Sequence, residues 1–226
     1  MSLDPAGRPF IALAAAPSAI AVVRQRWATA AVLGALPIGV AAFFRDPSRH
    51  PDLGPPHEAD LVVAPADGKV MHAGPPAPGA GPDGDWLQVA IFLSLADVHI
   101  NRAPYGGTVT DVTYRPGRFR TAFSAASGTE NERTELTIVR SADGEARTVI
   151  FRQVVGLLAR RVVTRVGPGD EVATGERIGL MKFGSRMDVF VPPQVELCVS
   201  TGDRVVAGET VIARWPTATA ASVVAP

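Results

Sequence analysis

Cysteine is nearly absent from this chain of 226 residues: Cys198 stands alone. That excludes an intrachain disulfide and a metal site built from several cysteines. Lysine is almost as scarce, with only Lys69 and Lys182, so a cofactor anchored on lysine has two possible positions. The four histidines, His50, His57, His72 and His99, show no metal-ligand spacing. Net charge is missing too: 22 basic residues balance 22 acidic ones, which gives no reason to expect a nucleic-acid partner. Aromatic residues are 6% of the chain, against 46% hydrophobic. The core is therefore built mainly from Val, Ala, Leu and Ile. What the chain does have is 22 Gly and 20 Pro, which suits a turn-rich β protein better than a helical one. The length allows one medium domain and a short appendage.

The appendage is apolar. Phe10 to Val23 forms one run, broken by Pro17, and Trp27 to Phe44 forms a second without charge. Arg24-Gln25-Arg26 separates them, and Arg45-Asp46-Pro47 ends the second. A spanning helix needs about 20 apolar residues. Three readings are open: a single marginal span flanked by cytosolic Arg residues, a pair of segments lying in or dipping into the interface, or a signal peptide. Asp4 and Arg8 make a poor basic leader for the last of these. Membrane association is expected, with the catalytic domain in the cytosol. Residues 45–60 read as a Pro-rich linker, so the expected division is 1–60 and 61–226.

In the second part, Leu61 to Val70 reads strand, turn, strand, with Asp67-Gly68 at a hairpin turn. Trp86 to Leu95 is an apolar strand. It leads into Asp97-Val98-His99-Ile100-Asn101-Arg102, where polar groups cluster at a strand end. His99 is either a base or a histidine held locally by Asp97 or Asn101. Arg160-Arg161 is either an anion contact or solvated surface. The last third holds a repeat, Gly169-Asp170-Glu171-Val172 to Glu176 and Gly202-Asp203-Arg204-Val205 to Glu209, with the shared pattern G-D-x-V-x-x-G-E. Such turns are similar to the hammerhead strands of biotinyl and lipoyl carriers. The expected fold is mainly β, a barrel-sandwich-like domain with hammerhead-type repeats, preceded by an apolar, helical, membrane-associating segment. Gly184-Ser185 falls between the two copies, at what reads as an exposed turn. Gly permits a strained turn, and in one the Ser hydroxyl can lie against the preceding carbonyl. The plain alternative is a surface turn.

Four motifs in order resemble the short form of the phosphatidylserine decarboxylases. They are Phe43-Phe44-Arg45-Asp46-Pro47, Pro65-Ala66-Asp67-Gly68-Lys69-Val70, Asp97 to Pro104, and Lys182-Phe183-Gly184-Ser185-Arg186. Asn131-Glu132-Arg133 and Gln153-Val154-Val155-Gly156 fit as well. Long-form members carry a second His where Arg102 stands here, and a Leu-Gly-Ser-Thr cleavage motif.

The resemblance implies a self-cleaving proenzyme. Ser185 would attack the Gly184 carbonyl, with His99 as base and Asp67 orienting it. Cleavage would leave chains 1–184 and 185–226 as a heterodimer, with further dimerisation left open. The cofactor would be a pyruvoyl group made from Ser185, which forms a Schiff base with phosphatidylserine and accepts the electrons left by departing carbon dioxide. The product would be phosphatidylethanolamine, the partner the cell membrane, and no metal is needed. Arg102, Arg160 and Arg161 are candidate substrate contacts. The main rival is a biotinyl or lipoyl carrier modified on Lys182, although Phe-Gly-Ser departs from the carrier signature. A pyridoxal-phosphate decarboxylase and a membrane-tethered adaptor are further alternatives. Neither of these two explains the motif order.

Overall fold

A computed structural model describes residues 2–49, 60–124, 126–142, 144–157, 162–182 and 184–216. His50, His57, Arg160, Arg161 and Phe183 lie outside the described residues. The chain forms two compact units, Met1–Ser48 and Arg49–Pro226.

The first unit is a helical hairpin. Strand β1 (Ser2–Leu3) and a 3-10 turn lead into α1 (Arg8–Val23). Gln25 turns the chain with a positive φ of 55°, and α2 (Trp27–Leu33) and α3 (Ala35–Phe43) return. The return is antiparallel, because Phe10 stacks on Phe44 and Ser18 Oγ donates to the Ala30 carbonyl at 2.8 Å. Strand β2 (Arg45–Asp46) pairs with β1 and closes the open end. Arg45 donates to the Ala42 carbonyl at 2.8 Å, a cation on a helix C-terminus. Residues Pro5–Val23 are long and apolar enough to cross a membrane.

The second unit is mainly β. Its strands are β3 (Leu61–Val63), β4 (Gly68–Gly74), β5 (Leu87–Leu93), β6 (Ile100–Arg102), β7 (Gly107–Arg115), β8 (Arg133–Ala142), β9 (Glu145–Val154), β10 (Val162–Thr164), β11 (Glu171–Val172), β12 (Arg177–Met181), β13 (Ser185–Val191), β14 (Glu196–Leu197), β15 (Arg204–Val205) and β16 (Val211–Arg214), with a short helix α4 (Ser127–Glu130) before β8. Eight strands form one antiparallel sheet in the order β11-β7-β8-β9-β13-β5-β4-β15. Two three-stranded sheets, β10-β12-β6 and β14-β16-β3, complete the unit. One face of the large sheet supplies Ile91, Leu93, Leu136, Ile138, Met187 and Val189 to the core, the alternation expected of strands buried on one side.

The repeat has a structural partner. Ala64 to Val70 and Ala103 to Val109 occupy equivalent places. Gly208 N–H donates to the Ala64 carbonyl and Gly175 N–H to the Ala103 carbonyl, while Val70 and Val109 donate to Asp203 and Asp170. Each G-D-x-V-x-x-G-E segment thus straps one Ala-Pro segment. Asp170 and Asp203 cap the N–H groups of Gly167 and Ser200, both at 2.8 Å, which is why the pattern needs its Asp.

This arrangement corrects the reading of Asp67-Gly68 as a hairpin turn. The flanking strands β3 and β4 belong to different sheets, so the dipeptide sits at a corner between them. Asp67 Oδ1 accepts from Ala207 N–H at 2.8 Å, and Oδ2 pairs with Arg49 at 2.9 Å. Arg49 also reaches Glu209 at 3.3 Å, within the second repeat. Removing the Asp67 carboxylate leaves a main-chain donor beside the buried Ala207 without its partner. We expect Asp67→Ala to cost about 1–3 kcal/mol, read as a lower urea midpoint at unchanged slope. Asp67→Asn, which keeps an acceptor oxygen, should recover most of the loss. Equal midpoints for Asp67→Ala and the parent chain would contradict the strap.

Candidate active site

Ser185 is the first residue of β13, and it is not on an exposed turn. It is fully buried, because pairing begins at once: Ser185 lies opposite Leu93 of β5, and Arg186 opposite Val154 of β9. Its side chain shares a face with Met187 and Val189, so it points toward the core. The hydroxyl oxygen has no hydrogen-bond partner among the described residues. A buried polar group without a partner costs free energy. Gly184 precedes it with φ of +71°, a conformation that glycine adopts readily.

The preceding strand β12 belongs to another sheet, where it pairs with β6. The chain therefore passes from one sheet to the other between Met181 and Ser185. Met181 N–H donates to the His99 carbonyl at 3.1 Å, and Gly184 N–H donates to His99 Nε2 at 3.3 Å. The Nδ1 atom lies 2.9 Å from the Asp97 carbonyl. A carbonyl only accepts and a main-chain N–H only donates, so Nδ1 carries the proton and Nε2 the lone pair. That is the tautomer a base needs, one residue from Ser185.

Asp97 holds this arrangement indirectly. Its Oδ2 accepts from Ser94 N–H at 2.8 Å and from the Ser94 hydroxyl at 2.6 Å, and its Oδ1 accepts from Arg204 at 3.1 Å. The carboxylate shapes the turn, and the turn presents the carbonyl to the imidazole. His99 is thus held locally, and its Nε2 accepts from Gly184 N–H.

The structure brings Gly184, Ser185 and His99 together. It does not bring Asp67 to them, since both carboxylate oxygens are engaged by Ala207 and Arg49. Arg102 is also elsewhere. It is 4% exposed, donates to the Gly175 carbonyl at 2.8 Å, and packs its stem against Gly208, bridging the two repeats from within. Burial between the straps, and not exposure to substrate, is the place its position in the fold assigns it.

Two residues were missed as site residues. Gly156 was legible only as part of a motif. A Cβ on it would fall 2.1 Å from the Gly184 carbonyl oxygen, so only glycine leaves room for the scissile carbonyl. Arg186 was legible only as the residue after the serine. It is 6% exposed and lines a cavity of about 400 Å³ on the outer face of the large sheet, with Lys69, His72, Gln88, Ala90 and Phe123. Its Nε donates to Asp188 Oδ1 at 2.6 Å, and Nη1 lies 3.4 Å from Ser127 Oγ. Asp188 is fully buried, so the guanidinium is fixed in orientation and its charge is paired. Adjacent strand residues point to opposite faces, so this cavity lies across the sheet from the Ser185 side chain.

A family model for phosphatidylserine decarboxylase matches residues 38–213. The chain belongs to the phosphatidylserine decarboxylase family. The phosphatidylserine decarboxylase proenzyme of Mycobacterium avium is 45% identical over 217 residues, covering 95% of this chain and 87% of the relative. The proenzyme of Symbiobacterium thermophilum is 46% identical over 210 residues, covering 93% and 94%. That of Solibacter usitatus is 46% identical over 172 residues, covering 76% of each chain. Phosphatidylserine decarboxylases are carboxy-lyases, and their reaction turns phosphatidylserine into phosphatidylethanolamine and carbon dioxide.

The geometry generates a prediction about two residues that never touch one another. A general base is worth about 10²–10⁴-fold, so His99→Ala should slow cleavage after Gly184 by a comparable factor. Gly156→Ala displaces the scissile carbonyl and should slow it about 10²-fold, the usual cost of a misplacement near 1 Å. A time course of the uncleaved chain on a gel measures both. Parental cleavage in Gly156→Ala would mean that the carbonyl does not react from this position.

Proposed function

We propose that the protein is a self-processing proenzyme whose mature form decarboxylates phosphatidylserine through a pyruvoyl group made from Ser185. The observation that carries this reading is the buried, unpartnered Ser185 hydroxyl beside Gly184 at positive φ, with the lone pair of His99 one residue away. The same orphaned hydroxyl is what makes the residues fit the pyruvoyl group, which can arise only from a serine at this place.

Self-processing is a sequence of bond exchanges at the chain's own atoms. His99 Nε2 takes the serine proton as Oγ bonds to the Gly184 carbonyl carbon. The Gly184–Ser185 C–N bond then breaks as His99 gives that proton to the departing nitrogen, leaving an ester and a free amine on residue 185. The imidazole, again neutral, takes the Cα proton as Gly184 leaves as a carboxylate. Water then releases ammonia and leaves the ketone. In turnover, the pyruvoyl group supplies an electron sink for the carbanion left by carbon dioxide. His99 is the nearest group able to return a proton to it. The Asp97 carbonyl holds the imidazole in its tautomer, the orienting task expected of Asp67.

Chains 1–184 and 185–226 would remain together. Strand β13 is hydrogen-bonded to β5 on one side and β9 on the other, and β15 and β16 pair with β4 and β3. The cut therefore severs a covalent bond and leaves the sheets intact.

We also place the protein at the cytoplasmic face of the cell membrane. Leu13, Val32 and Ile38 of the helical hairpin are 74%, 75% and 71% exposed, far more apolar surface than a solvated hairpin tolerates. Arg24 and Arg26 lie at its turn and Arg8 and Arg45 at its open end. Cations at both ends suit a hairpin lying in an anionic interface.

Intact mass tests the processing. The purified protein should give fragments of residues 1–184 and 185–226 that co-elute until denatured, the smaller lacking a free amino terminus. Ser185→Ala should give a single chain. Scission at this bond in Ser185→Ala would remove the serine as nucleophile, and one chain bearing a modified Lys182 would favour a carrier. The hairpin is tested by vesicle flotation of the full chain. Leu13→Lys together with Val32→Lys should lower the floated fraction, and unchanged flotation would exclude the hairpin as the anchor.

A further inference from the structure

Three loops of the second unit meet at the Gly184–Ser185 bond, and each exposes a large apolar side chain. Leu95 lies in the turn between Ser94 and Asp97, just past the end of β5, where Leu93 faces Ser185. Leu157 follows Gly156, the residue in contact with the Gly184 carbonyl. Phe123 packs edge-on against Phe92 with ring centroids 5.7 Å apart, and its neighbour Ala122 is also against Gly156. Leu95 and Leu157 are each 56% exposed and Phe123 is 70% exposed. Phe119 adds a fourth tip, on a loop tied to Val155 through the two bonds of Asn131 with Arg120 and one with the Val155 carbonyl.

Single exposed apolar residues are ordinary, but tips grouped around one site are not. The core is not short of Leu or Phe positions, and each of these residues sits on a loop whose polar atoms are bonded inward. Arg118 and Arg120 flank Phe119 and share one anionic partner, Glu130, at 3.5 and 2.7 Å. Basic residues thus flank an apolar one on this loop. Apolar tips with cations beside them suit a phospholipid surface, acyl chains beneath anionic phosphates.

We infer that Leu95, Phe119, Phe123 and Leu157 form a rim by which the second unit seats itself on a phospholipid bilayer, with the Gly184–Ser185 site at its centre. The inference rests on the proposed function in one respect: a site facing the bilayer can receive a lipid without drawing it through water. It differs from anchoring by the helical hairpin, because it concerns the orientation of the second unit.

The test uses the full chain and does not depend on catalysis. In a Cys198→Ser, Ser185→Ala background, a cysteine is placed in turn by Leu95→Cys, Leu157→Cys or Glu145→Cys, and each carries an environment-sensitive fluorophore. Glu145 is exposed at the other end of β9, roughly 30 Å from Val154 at about 3.3 Å per residue. Vesicles of phosphatidylcholine and phosphatidylglycerol in equal parts are then added. The fluorophores at 95 and 157 should brighten several-fold with a blue shift and be quenched by spin-labelled lipid, while the one at 145 stays as in buffer. No change at 95 and 157 would overturn the inference. So would a change that equals the one at 145. A blue shift at 95 and 157 that appears on concentrating the protein without vesicles would assign the rim to contact between two copies instead. Failure of the decarboxylase reading would show separately, as an uncut parent chain by mass.

Discussion

The passage of the chain from one sheet to another at Gly184–Ser185 is the constraint on which the site depends. Strand β12 is bonded to β6 up to Met181, and β13 is bonded on both sides from its first residue. The chain crosses between Met181 and Ser185. A glycine at positive φ completes it, and the main-chain N–H of that glycine is taken by the imidazole beneath. Sheets held on both sides also explain how a cut there can leave the fold in place.

Around this crossing, buried polar groups are arranged to hold main chain and not to do chemistry. Gln153 donates to Asn101 and accepts from Thr164, both at 2.8 Å, joining β9, β6 and β10 beneath the site. Asn131 joins the 118–120 loop to Val155. Arg102 fastens the turn of one repeat and packs against the other. Each network is satisfied within the fold, which makes it rigidifying. Asp67 belongs to this class, locking the strap of the second repeat to the corner between β3 and β4. Several motif residues that look catalytic in the sequence are there because a pseudo-symmetric barrel made from short strands needs its turns pinned.

Two kinds of apolar surface face outward, and they differ in origin. The helical hairpin of the first unit is apolar nearly all round, so that packing one helix against another leaves much of it exposed. The tips in the second unit are separate residues on separate loops, brought together by the convergence of β5, β9 and β13. A lipid substrate gives both a reason to exist.

Much was legible without coordinates. Alternating apolar residues and frequent Gly and Pro pointed to a mainly β fold, the G-D-x-V-x-x-G-E repeat to paired turns, and the charge-free run from Trp27 to Phe44 to an apolar helical leader. These are local properties, decided by side-chain periodicity and turn chemistry within a few residues. The order of motifs pointed to Ser185 and His99 for the same reason, since a family pattern is a linear property. Three things were decided only by the tertiary structure. Ser185 is buried because its strand happens to run between β5 and β9. Asp67 is a strap and not a partner of His99 because the strands beside it enter different sheets. Gly156, Arg186 and Asp97 join the site from separate strands and loops. The physical reason is common to all three: which groups meet is set by pairing between strands far apart in the chain, and no local pattern of residues encodes a distance between them.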